Sequence, residues 1–299
     1  MANQADEKEL EELRKQIFIT GYKGKMAHLA SCFSCLEIVY TLYMKGVLRY
    51  DLNDPEWEER DRFILSKGHA GLALYSVLLK AGLMSKENFE SYLTADSVIG
   101  GEPCMRDCKR IEATTGSLGH GLSIGMGMAM ALKSDKKTSR VYVLLGDGEC
   151  EEGTVWEAAM TAPAFGLDNL CVILDCNKIQ KMDFVENIIG NDDWVTKWKA
   201  FGWDVIETNG HDVDNLKKVF DNLRPEKPVL IIADTVKGKG VSIMENNPNW
   251  HFKIPGKKEL KVFKEELHIS DSDLKSNSFT MSITMMSQSD IIRNYCLMP

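Results

Sequence analysis

Four carboxylates crowd one turn of this chain. Asp147, Glu149, Glu151 and Glu152 follow the apolar run VYVLL (141–145) in the segment GDGECEEG, which holds no Lys or Arg. A glycine-rich turn after a buried strand is a place where backbone N–H groups cradle phosphate, yet acids repel it. A divalent cation removes the conflict. Mg²⁺ takes oxygen ligands and is commonly shared between one or two carboxylates and a phosphate. Asp147 can supply the carboxylate. Asn177, thirty residues on and after the next strand, can supply an amide oxygen, and the main-chain carbonyl of Ile179 can complete the protein's share. Gly146 and Gly148 let the backbone come close to the remaining phosphate oxygens. Two commoner phosphate sites do not fit: Gly146, Gly148 and Gly153 lack the G-x-G-x-x-G spacing, and no G-K-[ST] closes the turn.

The elements that must hold this turn alternate. VYVLL, LCVILD (170–175), DVIET (204–208) and VLIIADT (229–235) are short apolar runs of the kind that fill buried parallel strands. Helical spacing appears near 7–27, 119–133, 154–165, 192–201 and 213–222, and predicts further helices over Ser34–Lys45 and Gly71–Ala81. The turn Ser66-Lys67-Gly68-His69 precedes the last of these, and the acidic stretch DLNDPEWEERD reads as a surface loop. Strands alternating with helices predict an α/β fold, a parallel sheet flanked by helices. Ligands of such sheets sit beyond the carboxyl ends of the strands, where the Asp147 and Asn177 turns both fall.

Taken together, these segments resemble the transketolase family. Gly146-Asp147-Gly148-Glu149 followed by Cys176-Asn177-Lys178-Ile179-Gln180 looks like its thiamine diphosphate motif. LSKGHAGLALYSVL (65–78) resembles its strand–GHA–helix segment, ATTGSLGHGLSIGMGMAMA (113–131) its TGSLGQG helix start, and KGKGVSIMENNPNWH (237–251) its closing segment. The resemblance spans roughly residues 10–255. It implies thiamine diphosphate and Mg²⁺ as cofactors, with Asp147, Asn177 and Ile179 on the metal. Gly146, Gly148, Glu149, Gly116, Leu118, His69 and His251 would line the cofactor. His28, His69 and His251 would act at the reacting atoms, His28 and Glu102 against substrate. Glu152 would meet its symmetry mate and link two active sites. His120 stands where the family has Gln, and Trp250 is expected to pack near His251.

Two departures stand out. Gly101-Glu102-Pro103 replaces Gly-His-Pro, exchanging a neutral partner for sugar hydroxyls for an acid that repels nearby anions. MAHLASCFS (26–34) replaces a glycine-rich segment. Full transketolases carry two further domains, so the chain resembles the N-terminal subunit of a split enzyme. Residues 1–269 form the expected diphosphate-binding domain and 270–299 an extension of unknown role. The resemblance implies transfer of a two-carbon ketol unit from a ketose, or ketose phosphate, to an aldose, in an α2β2 assembly with a C-terminal subunit. That subunit would bring the glutamate that activates the cofactor and the basic residues that bind sugar phosphate. Other thiamine diphosphate enzymes, a 2-oxoacid dehydrogenase α subunit or a branched-sugar synthase, and a non-catalytic assembly partner are the alternatives.

Composition sets the boundaries. The chain has 299 residues, 44% apolar and 27% charged, and a net charge of -8 that argues against general binding to nucleic acid or an anionic membrane. No signal peptide or apolar span is expected, which with eight cysteines and no disulfide framework predicts a cytoplasmic protein. Cys32-x-x-Cys35 and Cys104-x-x-x-Cys108 are read as thiols rather than metal ligands, Cys35 facing the core of an amphipathic helix.

Overall fold

The computed structural model describes residues 4–190, 193–223 and 226–275. Five strands form one parallel sheet: β1 (Arg62–Leu65), β2 (Val141–Gly146), β3 (Leu170–Cys176), β4 (Asp204–Asn209) and β5 (Val229–Asp234), in the order β1-β2-β3-β5-β4. Every residue of β2 is buried. Its side chains alternate between two cores, Tyr142 and Leu144 on one face and Val141, Val143 and Leu145 on the other. The same period of two splits β3, with Cys171 and Ile173 opposite Val172 and Leu174. Helices cover both faces, so the run VYVLL is apolar throughout rather than alternating.

The expected α/β class is therefore observed, with three differences of detail. The helix predicted from Ser34 begins at Leu29 and runs to Met44, and fifteen of its residues are buried. A helix packed on all sides has no polar stripe, so periodicity does not mark its start and the amphipathic reading fails. Cys35 is buried as expected, beside Cys32. The run DVIET does form β4, but as an edge strand with only Thr208 buried. Finally, β1 is four residues long, too short for a periodic signal, and only the family pattern points to it.

Register fixes the site. Gly146 of β2 lies opposite Asp175 of β3, and Cys176 opposite Asp234 of β5. The chain leaves β2 and β3 side by side, which puts the Asp147 and Asn177 turns next to each other. Of the expected extension, Asp271–Leu274 is a capped helical turn tied to the first helix, Gln4–Lys23, by an ion pair of 3.1 Å between Lys15 and Asp273. Residues 276–299 lie outside the described residues. No described helix is long and apolar enough to cross a membrane.

Candidate functional site

The carboxyl ends of β2 and β3 carry a buried polar cluster. Asp147 accepts hydrogen bonds from the Gly148 N–H (2.8 Å) and, across the strand gap, from the Lys178 N–H. Lys178 takes a left-handed backbone (φ 67°), which turns the Asn177–Ile179 segment towards Asp147. The Asn177 side-chain oxygen accepts from the Ile179 N–H at 3.2 Å. Asp147, Asn177 and Ile179 are thus brought together, with a carboxylate, an amide oxygen and a main-chain carbonyl. All are hard oxygen donors, which suits Mg²⁺. Among the described residues no group of three His, Cys, Asp or Glu side chains gathers as a metal site, and this oxygen set contains only one such side chain.

Positive charge reaches the acidic turn from elsewhere in the chain. Lys237, almost wholly buried, donates from its ammonium to the Ile179 carbonyl at 2.9 Å. A cation therefore already sits on one of the oxygens expected to face the metal. Burial raises the pKa of Asp147, with the Asp175 charge adding to it; burial and the Lys67 charge lower that of Lys237. Lys67, equally buried, pairs with Asp175. Ser34 Oγ (2.6 Å), Thr235 Oγ1 and Asn177 Nδ2 (3.1 Å) also donate to Asp175. Burial pushes the Asp175 pKa up, but the Lys67 ammonium and these donors outweigh it, and the net shift is down. Sequence reasoning assigns no role to Lys67, Lys237 or Asp175. The available signal is the placing of lysines in the short glycine-containing segments SKGHA and TVKGKG.

Glu149 is a structural hub. Its oxygens accept from Ser66 Oγ (2.5 Å), the Gly119 N–H (2.8 Å) and the Gly146 N–H (3.0 Å), joining the turns after β1 and β2 to the start of the helix His120–Ser134. Its carboxylate is spent inside the protein. Gly116 is packed from two sides. A Cβ built on it would lie 2.0 Å from Glu102 Oε2, its φ is +133°, and a Cβ on Gly68 would meet its backbone at 2.7 Å. Glu102 thus leans directly on the Gly116 turn, with its backbone carbonyl held by the Tyr75 hydroxyl at 2.9 Å. Its side chain is exposed at the rim, but contact with the turn removes enough water to raise its pKa. Leu118 is half-buried beside this turn. Its carbonyl lies 3.1 Å from the ring nitrogen of exposed His120.

Three histidines from distant segments meet. Ring centroids are 4.9 Å apart for His28–His69, 5.4 Å for His28–His251 and 5.9 Å for His69–His251. Burial, then the Lys237 charge, lowers the pKa of His28 to about 4 and of His251 to about 3; His69 is also held well below the usual range by burial and Lys67. All three rings are thus held in the neutral form at pH 7. The Nδ1 atoms of His28 and His251 are buried without a hydrogen-bond partner, which marks them as groups aimed at something the protein does not supply. Trp250 is buried and packs at 5.3 Å against Phe263, fixing the segment that ends in His251. Glu152 stands apart, exposed at the start of the helix Gly153–Ala164, its carboxylate with no hydrogen bond or ion pair among the described residues.

Neutral burial of these rings predicts a pH effect on stability. The unfolded histidines titrate near ~6.5, so between that pH and about 4 the unfolded chain binds more protons than the folded one. Stability then falls as pH falls through this window. Calorimetric melting at pH 7.5 and 5 should show a loss of several degrees, and a smaller loss in His28→Asn.

Comparison with known proteins gives the family. Residues 18–285 match the family model described as transketolase, thiamine diphosphate binding domain. The chain is 40% identical over 247 residues to one subunit of the apulose-4-phosphate transketolase of Phocaeicola vulgatus, covering 82% of this chain and 87% of that one. It is 37% identical over 226 residues to a 6-deoxy-6-sulfo-D-fructose transketolase subunit of Clostridium sp., covering 74% and 82%. The solved structure of transketolase from Leishmania mexicana superposes with a TM-score of 0.80 at 26% identity, over 90% of this chain but only 43% of that one. The fold and site thus define a thiamine diphosphate-binding domain. The chain belongs to the transketolase family of transferases.

Proposed function

We propose that this chain is the diphosphate-binding subunit of a two-chain transketolase, dependent on thiamine diphosphate and Mg²⁺ and transferring a ketol unit from a ketose to an aldose. The observation that carries the reading is the joining of two constellations at one sheet edge: the oxygens of Asp147, Asn177 and Ile179, and the cluster of His28, His69 and His251. Asp147, the Asn177 amide oxygen and the Ile179 carbonyl would hold the metal. Gly146 and Gly148, whose own N–H groups are held by Glu149 and Asp147, would leave room for the diphosphate to approach the backbone, with the cationic side of the site facing it. When bound, thiamine diphosphate supplies the electron sink that lets the carbon–carbon bond beside a ketose carbonyl break.

The chain's own part is positioning and proton transfer. His28, His69 and His251, neutral at working pH, accept and return protons at the sugar oxygens. Leu118 and Gly116 support the cofactor, Gly116 because only a glycine leaves room for the Glu102 carboxylate. Glu102 accepts hydrogen bonds from sugar hydroxyls. Glu152, its exposed carboxylate without a partner, meets its counterpart in a second copy. Residues 1–269 are the diphosphate-binding domain, and 270–299 a C-terminal extension.

Two relatives named as subunits are matched over most of their length, whereas full-length transketolase is matched over less than half. That contrast supports a separate partner carrying the remaining domains; the proposal puts the two chains in a cytoplasmic α2β2 assembly. The relatives' names carry a sugar phosphate and a sulfo-sugar, both anionic, which supports an anionic ketose as donor. The purified chain, saturated with both cofactors, should give no measurable ketol transfer from D-xylulose 5-phosphate to D-ribose 5-phosphate, and should turn over once the partner is added. Robust turnover by the chain alone would sink the two-chain reading.

A further inference from the structure

We propose that Lys181 is a specificity-determining residue of this chain: its ammonium group, held over the Phe252 ring at the mouth of the histidine pocket, receives the anionic end of the sugar substrate. The inference rests on the ketol-transfer reading above. It departs from the expectation that the basic residues for sugar phosphate all come from the partner.

The position is fixed by local structure. Lys181 lies at the tip of a tight turn closed by the Gln180 N–H to the Asp183 carbonyl (3.0 Å) and by pairing of Ile179 with Phe184. The same turn begins at Ile179, so the residue that offers its carbonyl to the metal site also anchors the one that carries the cation. Opposite, Phe252 follows His251 directly, and its ring packs at 4.8 Å against the His28 ring. The Lys181 Nζ sits 4.3 Å from the centre of that Phe252 ring. One aromatic side chain therefore separates the lysine from the histidines. A ketose whose carbonyl lies among the rings would carry its far end past Phe252 to Lys181.

Charge points the same way. Three lysines project their field onto His28: Lys237, Lys181 and Lys67. Lys67 is buried and paired with Asp175, and Lys237 is buried on the Ile179 carbonyl. Lys181 is exposed and makes no ion pair among the described residues. Neighbouring lysines are already neutralised, Lys178 by Asp234 at 2.6 Å and Lys253 by Glu259 at 2.5 Å. A cation resting on an aromatic face, with no carboxylate to compete, keeps its full charge for an incoming anion. Glu102, against the Gly116 turn, would repel the same anion and so disfavour the charged end of the substrate there.

The test uses the reconstituted two-chain enzyme with D-xylulose 5-phosphate and D-xylulose, donors that differ only in the phosphate. Lys181→Gln should lower kcat/KM for the phosphorylated donor about 10-fold or more, the size of a lost charge-assisted hydrogen bond. The loss should fall on KM. The neutral donor should change less than about twofold, since no such bond is lost with it. Lys181→Arg should restore the preference, and the salt dependence of kcat/KM should flatten in Lys181→Gln. Equal losses with both donors, no loss with either, or a wild-type enzyme indifferent to the phosphate would overturn the proposal. Absence of ketol transfer from both donors in the wild type would instead overturn the function on which it rests. Because the side chain is exposed, melting temperature should be unchanged in both variants, which separates a binding effect from misfolding.

Discussion

Asp147→Ala is expected to abolish Mg²⁺-dependent binding of thiamine diphosphate while leaving a folded protein. Of the oxygens gathered at the ends of β2 and β3, Asp147 alone brings a full negative charge to the expected metal position, Asn177 and Ile179 contributing only dipoles. Without that charge, the Lys237 ammonium on the Ile179 carbonyl is left facing the expected metal position, and it repels a divalent cation. The fold should survive because Asp147 supports only two backbone donors, those of Gly148 and Lys178. Losing them costs about 1–3 kcal/mol. Asp147→Asn separates the two effects, since its amide oxygen can still accept from one donor. Its stability should lie nearer the wild type, with metal-dependent binding still lost. Tryptophan fluorescence titration with thiamine diphosphate, with Mg²⁺ and with chelator, reads the binding, and melting reads the fold. Unchanged Mg²⁺-dependent binding in Asp147→Ala would remove it from the metal site.

The largest stability effect is expected from Lys67→Met. Lys67 and Asp175 form a buried pair, the carboxylate completely and the ammonium almost completely removed from water. Removing one partner of such a pair costs about 3–5 kcal/mol, because the other charge stays buried without compensation. Ser34, Thr235 and Asn177 would still donate to Asp175, but none is charged. In the variant the folded-state pKa of Asp175 should rise above its unfolded value. Its contribution to stability is then lost as pH rises, and the destabilisation should be larger at pH 8 than at pH 5. Lys67→Met with Asp175→Asn should recover part of the loss. Urea unfolding at the two pH values measures this, and a loss below about 1 kcal/mol would show that the pair contributes little.

Much of this site is legible in the sequence because it rests on short connections. Asp147 and Asn177 follow adjacent strands with almost no intervening loop, so strand order alone brings them together. The histidines are another matter. His28, His69 and His251 lie in three remote segments, and nothing but the family pattern predicts that their rings touch. Lys237 and Lys67 are silent because a buried lysine looks, in sequence, like any solvated one; its partners lie on other elements. Glu149 reads as another acid of the loop until the donors from Ser66, Gly119 and Gly146 are seen to consume it. The start of the helix Leu29–Met44 is hidden for the opposite reason. A helix buried on every side carries no pattern, and His28 at its head offers no side-chain cap to mark the boundary. The weak burial of β4 follows from its place at the sheet edge, which only the strand order reveals.

Everything proposed for the site requires this chain to be one half of an enzyme. The direct measurement is ketol transfer at constant total protein, with thiamine diphosphate and Mg²⁺ saturating, as the fraction of this chain to its pyrimidine-domain partner is varied from one extreme to the other. The predicted curve is zero at both ends and maximal at equal proportions of the two chains. Activity that rises steadily to its maximum with this chain alone would contradict the central claim.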